Sequence, residues 1–355
     1  MSQLIRVLVV DDSAYVRKVV KHMLSRSPFI EVVGAARDGE EALELVEELN
    51  PDVVTLDLLM PRMGGIEFLR QQMARRPIAV VIVSIASESG ETTLAALDAG
   101  AIDFVQKPTA LATEKVYEIS SELIEKVKLA AQVGPRSHVV HKRLLGAPHR
   151  PSVPVGEPVS VAQRPSQVDV VVIGVSTGGP QALKYLIPQL PADFPVPIVI
   201  VLHMPIGYTE LYAKKLDEVA ALRVIQARAG DPVQAGRALV APSGRHLRFV
   251  RQADGAVVVQ LDARPFDTRH KPSVDVMFQS AAEVFGERVL GVVMSGMGSD
   301  GKQGAAWIKS QGGTIFTEAE ETCVVYGMPR SVLEAGLSDK SVALDALAQA
   351  ITEAV

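Results

Sequence analysis

The chain has a single cysteine, Cys323, so no disulfide can form within it. Its apolar neighbours in Cys-Val-Val-Tyr (323–326) mark it as a buried structural thiol rather than a nucleophile. No apolar run approaches the ~20 residues a membrane-spanning helix requires, so no membrane insertion is expected. The opening Met1–Arg6 leads straight into a strand pattern, with no apolar signal segment, and a cytoplasmic location is expected. Basic charge is also short: 36 Lys and Arg stand against 41 Asp and Glu, a net charge of −5. Duplex binding depends on neutralising phosphates, and no helix-turn-helix pattern or basic stripe is evident, so no nucleic-acid partner is expected.

What is present is an ordinary globular composition, 48% hydrophobic and 22% charged over 355 residues, long enough for two separate cores. Charge marks the division. Residues 1–125 carry 12 Lys/Arg against 20 Asp/Glu, residues 126–167 carry 7 against 1, and residues 168–355 carry 17 against 20. The basic middle also collects Pro135, Pro148, Pro151, Pro154, Pro158 and Pro165 and lacks hydrophobic periodicity, so 126–167 is expected to be an extended linker. Its His138, His141 and His149 have no supporting metal ligands, and a solvated tether is the expectation there.

Through residues 4–130, short β-branched runs (Leu4–Val10, Ile30–Ala35, Val53–Leu56, Ile78–Val83, Ile102–Val105) alternate with amphipathic stretches such as Ala14–Leu24 and Glu40–Leu49. Five βα units and a parallel sheet covered on both faces follow. Such sheets carry their functional groups at the carboxyl ends of the strands. There lie Asp11 and Asp12 after the first run, Asp57 after the third, Ser84 after the fourth and Lys107 after the fifth. Three carboxylates on one rim repel unless a cation joins them, and an all-oxygen set suits Mg²⁺. Asp57 is the candidate nucleophile; Ser84 is a donor and Lys107 a point charge for phosphoryl oxygens. Helix capping by Asp12 and Ser13 is the competing explanation.

At these positions the chain resembles a response-regulator receiver domain, over about residues 3–125. The likeness rests on Val-Asp-Asp-Ser (10–13), Leu-Asp-Leu-Leu-Met-Pro (56–61), Gly-Ala-Ile-Asp-Phe (100–104) and Lys-Pro (107–108). The resemblance implies phosphoryl transfer from a histidine kinase to Asp57. It also implies Mg²⁺ held by Asp11 or Asp12, Asp57 and the Leu59 carbonyl, sensing of the phosphoryl group by Ser84, Phe104 and Lys107, and a cis Lys107–Pro108 bond.

In the second domain, Gly-Val-Ser-Thr-Gly-Gly-Pro (174–180) places Ser176 between the strand pattern ending at Val175 and a helix pattern beginning at Pro180. A glycine-flanked strand-to-helix turn can present a nucleophilic serine, but it can equally serve packing or phosphate binding. The base must be one of three histidines. His203 ends the apolar run Ile198–Leu202, about one βαβ step after the serine. His246 opens a β-hairpin pattern and is expected at the surface, and His270, in Thr-Arg-His-Lys, is expected to be a solvated loop residue. For an orienting carboxylate, Asp300, after the strand pattern Val289–Met294, is favoured over Asp275; helix capping is the competing role for each. A dinucleotide loop is disfavoured, since the spaced Gly-x-Gly-x-x-Gly pattern is missing and the nearest acid about 20 residues on, Asp193, lies in a proline-rich loop.

The order Ser, His, Asp differs from that of α/β-hydrolases. Together with His-Met-Pro-Ile-Gly-Tyr-Thr (203–209), Lys-Pro-Ser-Val-Asp-Val-Met-Phe (271–278) and Ser-Gly-Met-Gly-Ser-Asp-Gly (295–301), it makes residues 168–350 similar to the catalytic domain of chemotaxis protein-glutamate methylesterases/protein-glutamine glutaminases. That resemblance implies Ser176 as nucleophile, His203 as base, Asp300 as its partner, and an oxyanion site at the backbone of Thr177 and Met297. It implies methyl-accepting chemoreceptors as substrate; no cofactor is expected for ester hydrolysis, and the unphosphorylated residues 1–125 are expected to obstruct access to the Ser176 cleft until Asp57 is phosphorylated. Ser299 departs from the Asn frequent in the family, and Ile85–Gly90 is unusual receiver wording. The fold expected is α/β throughout: two doubly wound parallel-sheet domains, 1–125 flavodoxin-like and 168–355 Rossmann-like with a β-hairpin.

Overall fold

The computed structural model describes residues 4–84, 90–107, 113–134, 168–265 and 267–355. The linker expected over 126–167 lies outside the described residues from 135 onward, as do the Lys107–Pro108 bond and residues 85–89. The chain forms two compact units.

The first unit is built on strands β1 (Ile5–Val10), β2 (Ile30–Ala36), β3 (Val53–Leu56), β4 (Ala79–Ser84) and β5 (Asp103–Gln106), all parallel, in the order β2-β1-β3-β4-β5. Every residue of β3 and β4 is buried, as a sheet covered on both faces requires. The intervening helices are α1 (Ala14–Leu24), α2 (Gly39–Leu49), α3 (Gly65–Arg75), α4 (Gly90–Asp98) and α5 (Thr113–Val133). Ser13 begins α1 by accepting the Val16 N–H (3.4 Å), so the capping weighed for this stretch falls on the serine while Asp12 is exposed. Helix α5 runs past the boundary drawn at 125, because Val127 and Ala130 continue its buried face.

The second unit holds a seven-stranded parallel sheet and a separate hairpin. In chain order its elements are β6 (Val170–Val175), α6 (Gly179–Leu186), β7 (Ile198–Leu202), α7 (Thr209–Asp217), β8 (Arg223–Gln226), β9 (Arg237–Val240), β10 (His246–Arg251), β11 (Val257–Asp262), α8 (Val274–Phe285), β12 (Val289–Val293), α9 (Lys302–Ser310), β13 (Thr314–Glu318), α10 (Met328–Glu334), β14 (Lys340–Val342) and α11 (Leu344–Ala354). The sheet order is β14-β13-β12-β6-β7-β9-β8, and β10 pairs antiparallel with β11. The chain builds outward from β6 through β7 and then returns to its other side with β12, so strand order reverses at β6. Open α/β sheets bind ligands in the crevice above such a reversal. At the far end of these strands Arg288 forks onto Asp169 with two contacts of 2.7 Å, tying the starts of β12 and β6 together.

Both units are thus the α/β architecture expected. Among the described residues no helix is long and apolar enough to cross a membrane.

Candidate active site

In the first unit the strand-end residues converge. Asp11 and Asp57 are buried at the ends of β1 and β3, and Lys107 follows β5 with its Nζ 2.7 Å from a carboxylate oxygen of each. Burial works against the charged Lys107 ammonium, but its two carboxylate partners outweigh that and raise its pKa above the ordinary lysine value. Burial likewise raises the Asp11 pKa, with Lys107 opposing. Asp11, Asp12 and Asp57 each present a carboxylate oxygen, all within 4.8 Å of one another. This hard, anionic, all-oxygen set fits a divalent cation such as Mg²⁺. Ser84 is buried at the end of β4, its carbonyl accepting the Lys107 N–H (2.7 Å). Phe104 is buried in β5, and Leu59 follows Asp57 by two residues with its side chain half exposed.

In the second unit the register of neighbouring strands places the candidate groups. Val175 of β6 pairs with Leu202 of β7, so Ser176 and His203 are the next residues of adjacent strands, and the His203 N–H donates to the Val175 carbonyl (3.1 Å). On the other side of β6, the Ser176 N–H donates to the Ser295 carbonyl (2.9 Å). Gly296 fits against the serine because a Cβ there would lie 2.8 Å from the Ser176 Cβ. Gly178 supplies the φ of +80° on which the chain turns into α6. Ser295 also donates its hydroxyl to the Thr177 carbonyl (2.8 Å), locking this turn to the loop that carries Met297.

His203 Nε2 lies 2.8 Å from Asp300 Oδ2. A carboxylate only accepts, so Nε2 carries a proton, and in the neutral ring Nδ1 holds the lone pair. That Nδ1 is buried and has no hydrogen-bond partner among the described residues. Asp300 takes further N–H bonds from Val274 (2.8 Å), Asp275 (2.9 Å) and Gly301 (3.1 Å), and the Ser273 hydroxyl (2.9 Å). Burial disfavours its charge, but the His203 contact and these donors prevail and hold its carboxyl well below the usual range. Asp275 does the reverse service, accepting from Gly301 (2.9 Å) and Gly304 (2.7 Å) at the start of α9. Burial, with the neighbouring Asp300 charge, raises its pKa. Each aspartate therefore satisfies amides at the start of the other's helix.

Two expectations are corrected here. His246 is fully buried rather than at the surface, because the first residue of β10 faces inward beneath the segment ending at Ser273. His270 is half-buried and stacks on His203, ring centroids 4.1 Å apart and planes 20° from parallel. Cys323 is half-buried, and burial raises its thiol pKa well above the ordinary value, which leaves it unreactive. Ser273, the hydroxyl donor to Asp300, escaped the sequence reading; its sole local sign is an N-cap position ahead of an apolar run.

Glu318, at the end of β13, was also missed. It is fully buried, accepts the Ser295 N–H (2.9 Å) at one oxygen and has no hydrogen-bond partner at the other among the described residues. Burial pushes its pKa up to about 7 from an ordinary 4.5. The folded state therefore binds a proton that the unfolded state releases, so stability is full below about 4.5 and falls as pH rises to about 7. The expected loss is about 3 kcal/mol for the second unit. Urea unfolding at a series of pH values, followed by fluorescence of the sole tryptophan, Trp307 in α9, should show this slope, and Glu318→Gln should reduce it, leaving the part that the raised Asp275 pKa contributes below about 6. An equal slope in the variant would assign the effect elsewhere.

Comparison with known proteins gives the family. Residues 171–351 match the CheB methylesterase family and residues 7–116 the response regulator receiver domain. The fold and site thus define a response regulator whose output unit is an enzyme. The chain is 48% identical over 345 residues to protein-glutamate methylesterase/protein-glutamine glutaminase 5 of Myxococcus xanthus, covering 97% of this chain and 96% of that one. To the protein-glutamate methylesterase/protein-glutamine glutaminase of Symbiobacterium thermophilum it is 46% identical over 357 residues, covering 99% and 97%. The crystal structure of the Thermotoga maritima CheB methylesterase catalytic domain aligns with a TM-score of 0.52 at 41% identity, over 53% of this chain and 99% of that one. The chain belongs to the CheB methylesterase family.

Proposed function

We propose that this protein hydrolyses γ-methyl esters of glutamate side chains on chemoreceptors, and deamidates receptor glutamines, through Ser176, His203 and Asp300 under control of Asp57 phosphorylation. The observation that carries the reading is the buried, unpartnered Nδ1 of His203, on the strand adjacent to Ser176 while Asp300 engages the other nitrogen.

The Ser176 Oγ attacks the ester carbonyl carbon as its proton passes to His203 Nδ1. Asp300 stabilises the imidazolium so formed without taking the proton itself. Collapse of the tetrahedral intermediate breaks the carbon–oxygen bond and returns the proton from Nδ1 to the departing methanol. Water, activated by the same nitrogen, then adds to the acyl-enzyme and releases glutamate and free Ser176. With a glutamine substrate, ammonia departs in place of methanol. Backbone N–H groups of Thr177 and Met297 serve the developing oxyanion, each worth about 3 kcal/mol of barrier.

In the receiver, Asp57 accepts a phosphoryl group from a histidine kinase. Asp11, Asp12, Asp57 and the Leu59 carbonyl are the groups that would hold Mg²⁺, which when bound neutralises charge at the acceptor carboxylate. Lys107 and Ser84 meet phosphoryl oxygens, and Phe104 relays the change. Methanol release from methylated receptor membranes tests the control. A small-molecule phosphodonor should raise the rate of the native chain by a factor within the range of about 5–150 typical of allosteric coupling. For Asp57→Asn the ratio of rates with and without donor should fall to about one; persistence of the stimulation would move the switch to another residue.

A further inference from the structure

His246 is a fully buried histidine that the reaction does not use. Its two ring nitrogens meet unlike partners. Nδ1 faces the Ser273 N–H at 3.2 Å, while Nε2 lies 3.1 Å from the Pro265 carbonyl and 3.2 Å from the Thr268 hydroxyl oxygen. A backbone N–H only donates and a carbonyl only accepts, so Nδ1 carries the lone pair and Nε2 the proton. Burial lowers the His246 pKa, which keeps the ring neutral and this pattern intact. One imidazole thus ties down points on both sides of the segment 267–273. The Gly244 N–H, donating to the Lys271 carbonyl (2.9 Å), adds a second tie beside it.

That segment delivers two contacts to the reacting groups. His270 stacks on His203, and Ser273 begins α8, its hydroxyl and the next two amides holding Asp300. We propose that His246 is a positioning residue of the hydrolase: by accepting the Ser273 N–H it fixes the start of α8, which holds Asp300, which aims His203. The proposal rests on the reading of His203 and Asp300 as base and partner. It assigns work to a residue that touches neither substrate nor Ser176 in that scheme.

Two amide substitutions separate the acceptor role from simple filling of space. His246→Asn keeps an oxygen near the place of Nδ1 and so can still accept the Ser273 N–H. His246→Gln keeps an N–H near the place of Nε2 and can still donate to the Pro265 carbonyl, but places no acceptor where Nδ1 met the Ser273 N–H. Both are assayed as the full chain with a phosphodonor, by methanol release from methylated receptor membranes, with rates scaled to the folded fraction from near-ultraviolet circular dichroism. His246→Gln should lower kcat by about tenfold or more with KM within about twofold of native, whereas His246→Asn should stay within about threefold of native in kcat, since misplacing a reacting group by about an ångström is enough for such a loss. Equal kcat in the two variants, better activity in His246→Gln, or a change confined to KM would overturn the proposal. Asp300→Ala in the same assay tells the two levels apart. If it keeps native kcat, the reading of the site has failed; if it loses activity while His246→Gln does not, only the role of His246 has.

Discussion

Replacing Ser176 with alanine should abolish methanol release from methylated receptor membranes, with kcat falling by about 10⁴-fold or more. Alanine removes only the hydroxyl. The strand pairing of Val175 with Leu202 and the bond from the residue 176 N–H to the Ser295 carbonyl use backbone atoms, so they survive. His203, Asp300 and the proposed oxyanion donors remain where they are, and substrate affinity should be little changed. What is lost is the proposed covalent capture of the acyl group; Cys323, its thiol pKa raised by burial, offers no substitute nucleophile. A variant retaining more than about one hundredth of native kcat would be incompatible with an acyl-serine intermediate.

Asp300→Asn should be nearly as damaging, by about 10³–10⁴-fold in kcat, and it should also weaken the fold. Asp300 receives only donors: the His203 ring, the Ser273 hydroxyl, and the N–H groups of Val274, Asp275 and Gly301. An asparagine has one acceptor oxygen and an NH₂ group. However it is turned, its own N–H groups meet N–H or O–H groups on one side, and if they meet His203 the ring must offer Nε2 as acceptor and carry its proton on Nδ1. Nδ1, the proposed base, then has no lone pair to accept a proton. Steady-state methanol release gives the rate loss, and the thermal midpoint of the second unit should drop as the start of α8 loses acceptors. Native kcat in this variant would remove Asp300 from the mechanism.

The strand framework was legible because parallel strands buried on both faces leave a plain imprint: short β-branched runs that stop abruptly at a polar residue. Val170–Val175 before Ser176 and Ile198–Leu202 before His203 are of this kind, and so are Leu4–Val10 before Asp11 and Val53–Leu56 before Asp57. The contacts behind the strand ends were not legible. Asp300 meets α8 and Asp275 meets α9 across 25–29 residues, so neither partner appears in the other's local sequence. His246 looked like a surface residue because hairpin alternation says which residues share a face, not what will cover that face; the cover arrives with Ser273, 27 residues later. His270 sits among polar neighbours, and the ring it stacks on, His203, is 67 residues away in the sequence. Glu318 ends a buried strand, where a lone carboxylate reads as a solvent-facing terminus until the Ser295 amide is seen against it.

The alignment of Val175 with Leu202 and of Gly174 with Val293 has a consequence for how such an enzyme can diversify. Ser176 and His203 are the first residues beyond their strands, so the spacing of the proposed nucleophile and base is set by backbone pairing, while Asp300 is held by amides at the starts of two helices. Loops that carry none of these contacts are not needed for that alignment. They can change length and composition to suit different receptor surfaces while the chemistry stays in place, which divides the molecule into a part that decides what is bound and a part that decides what happens to it.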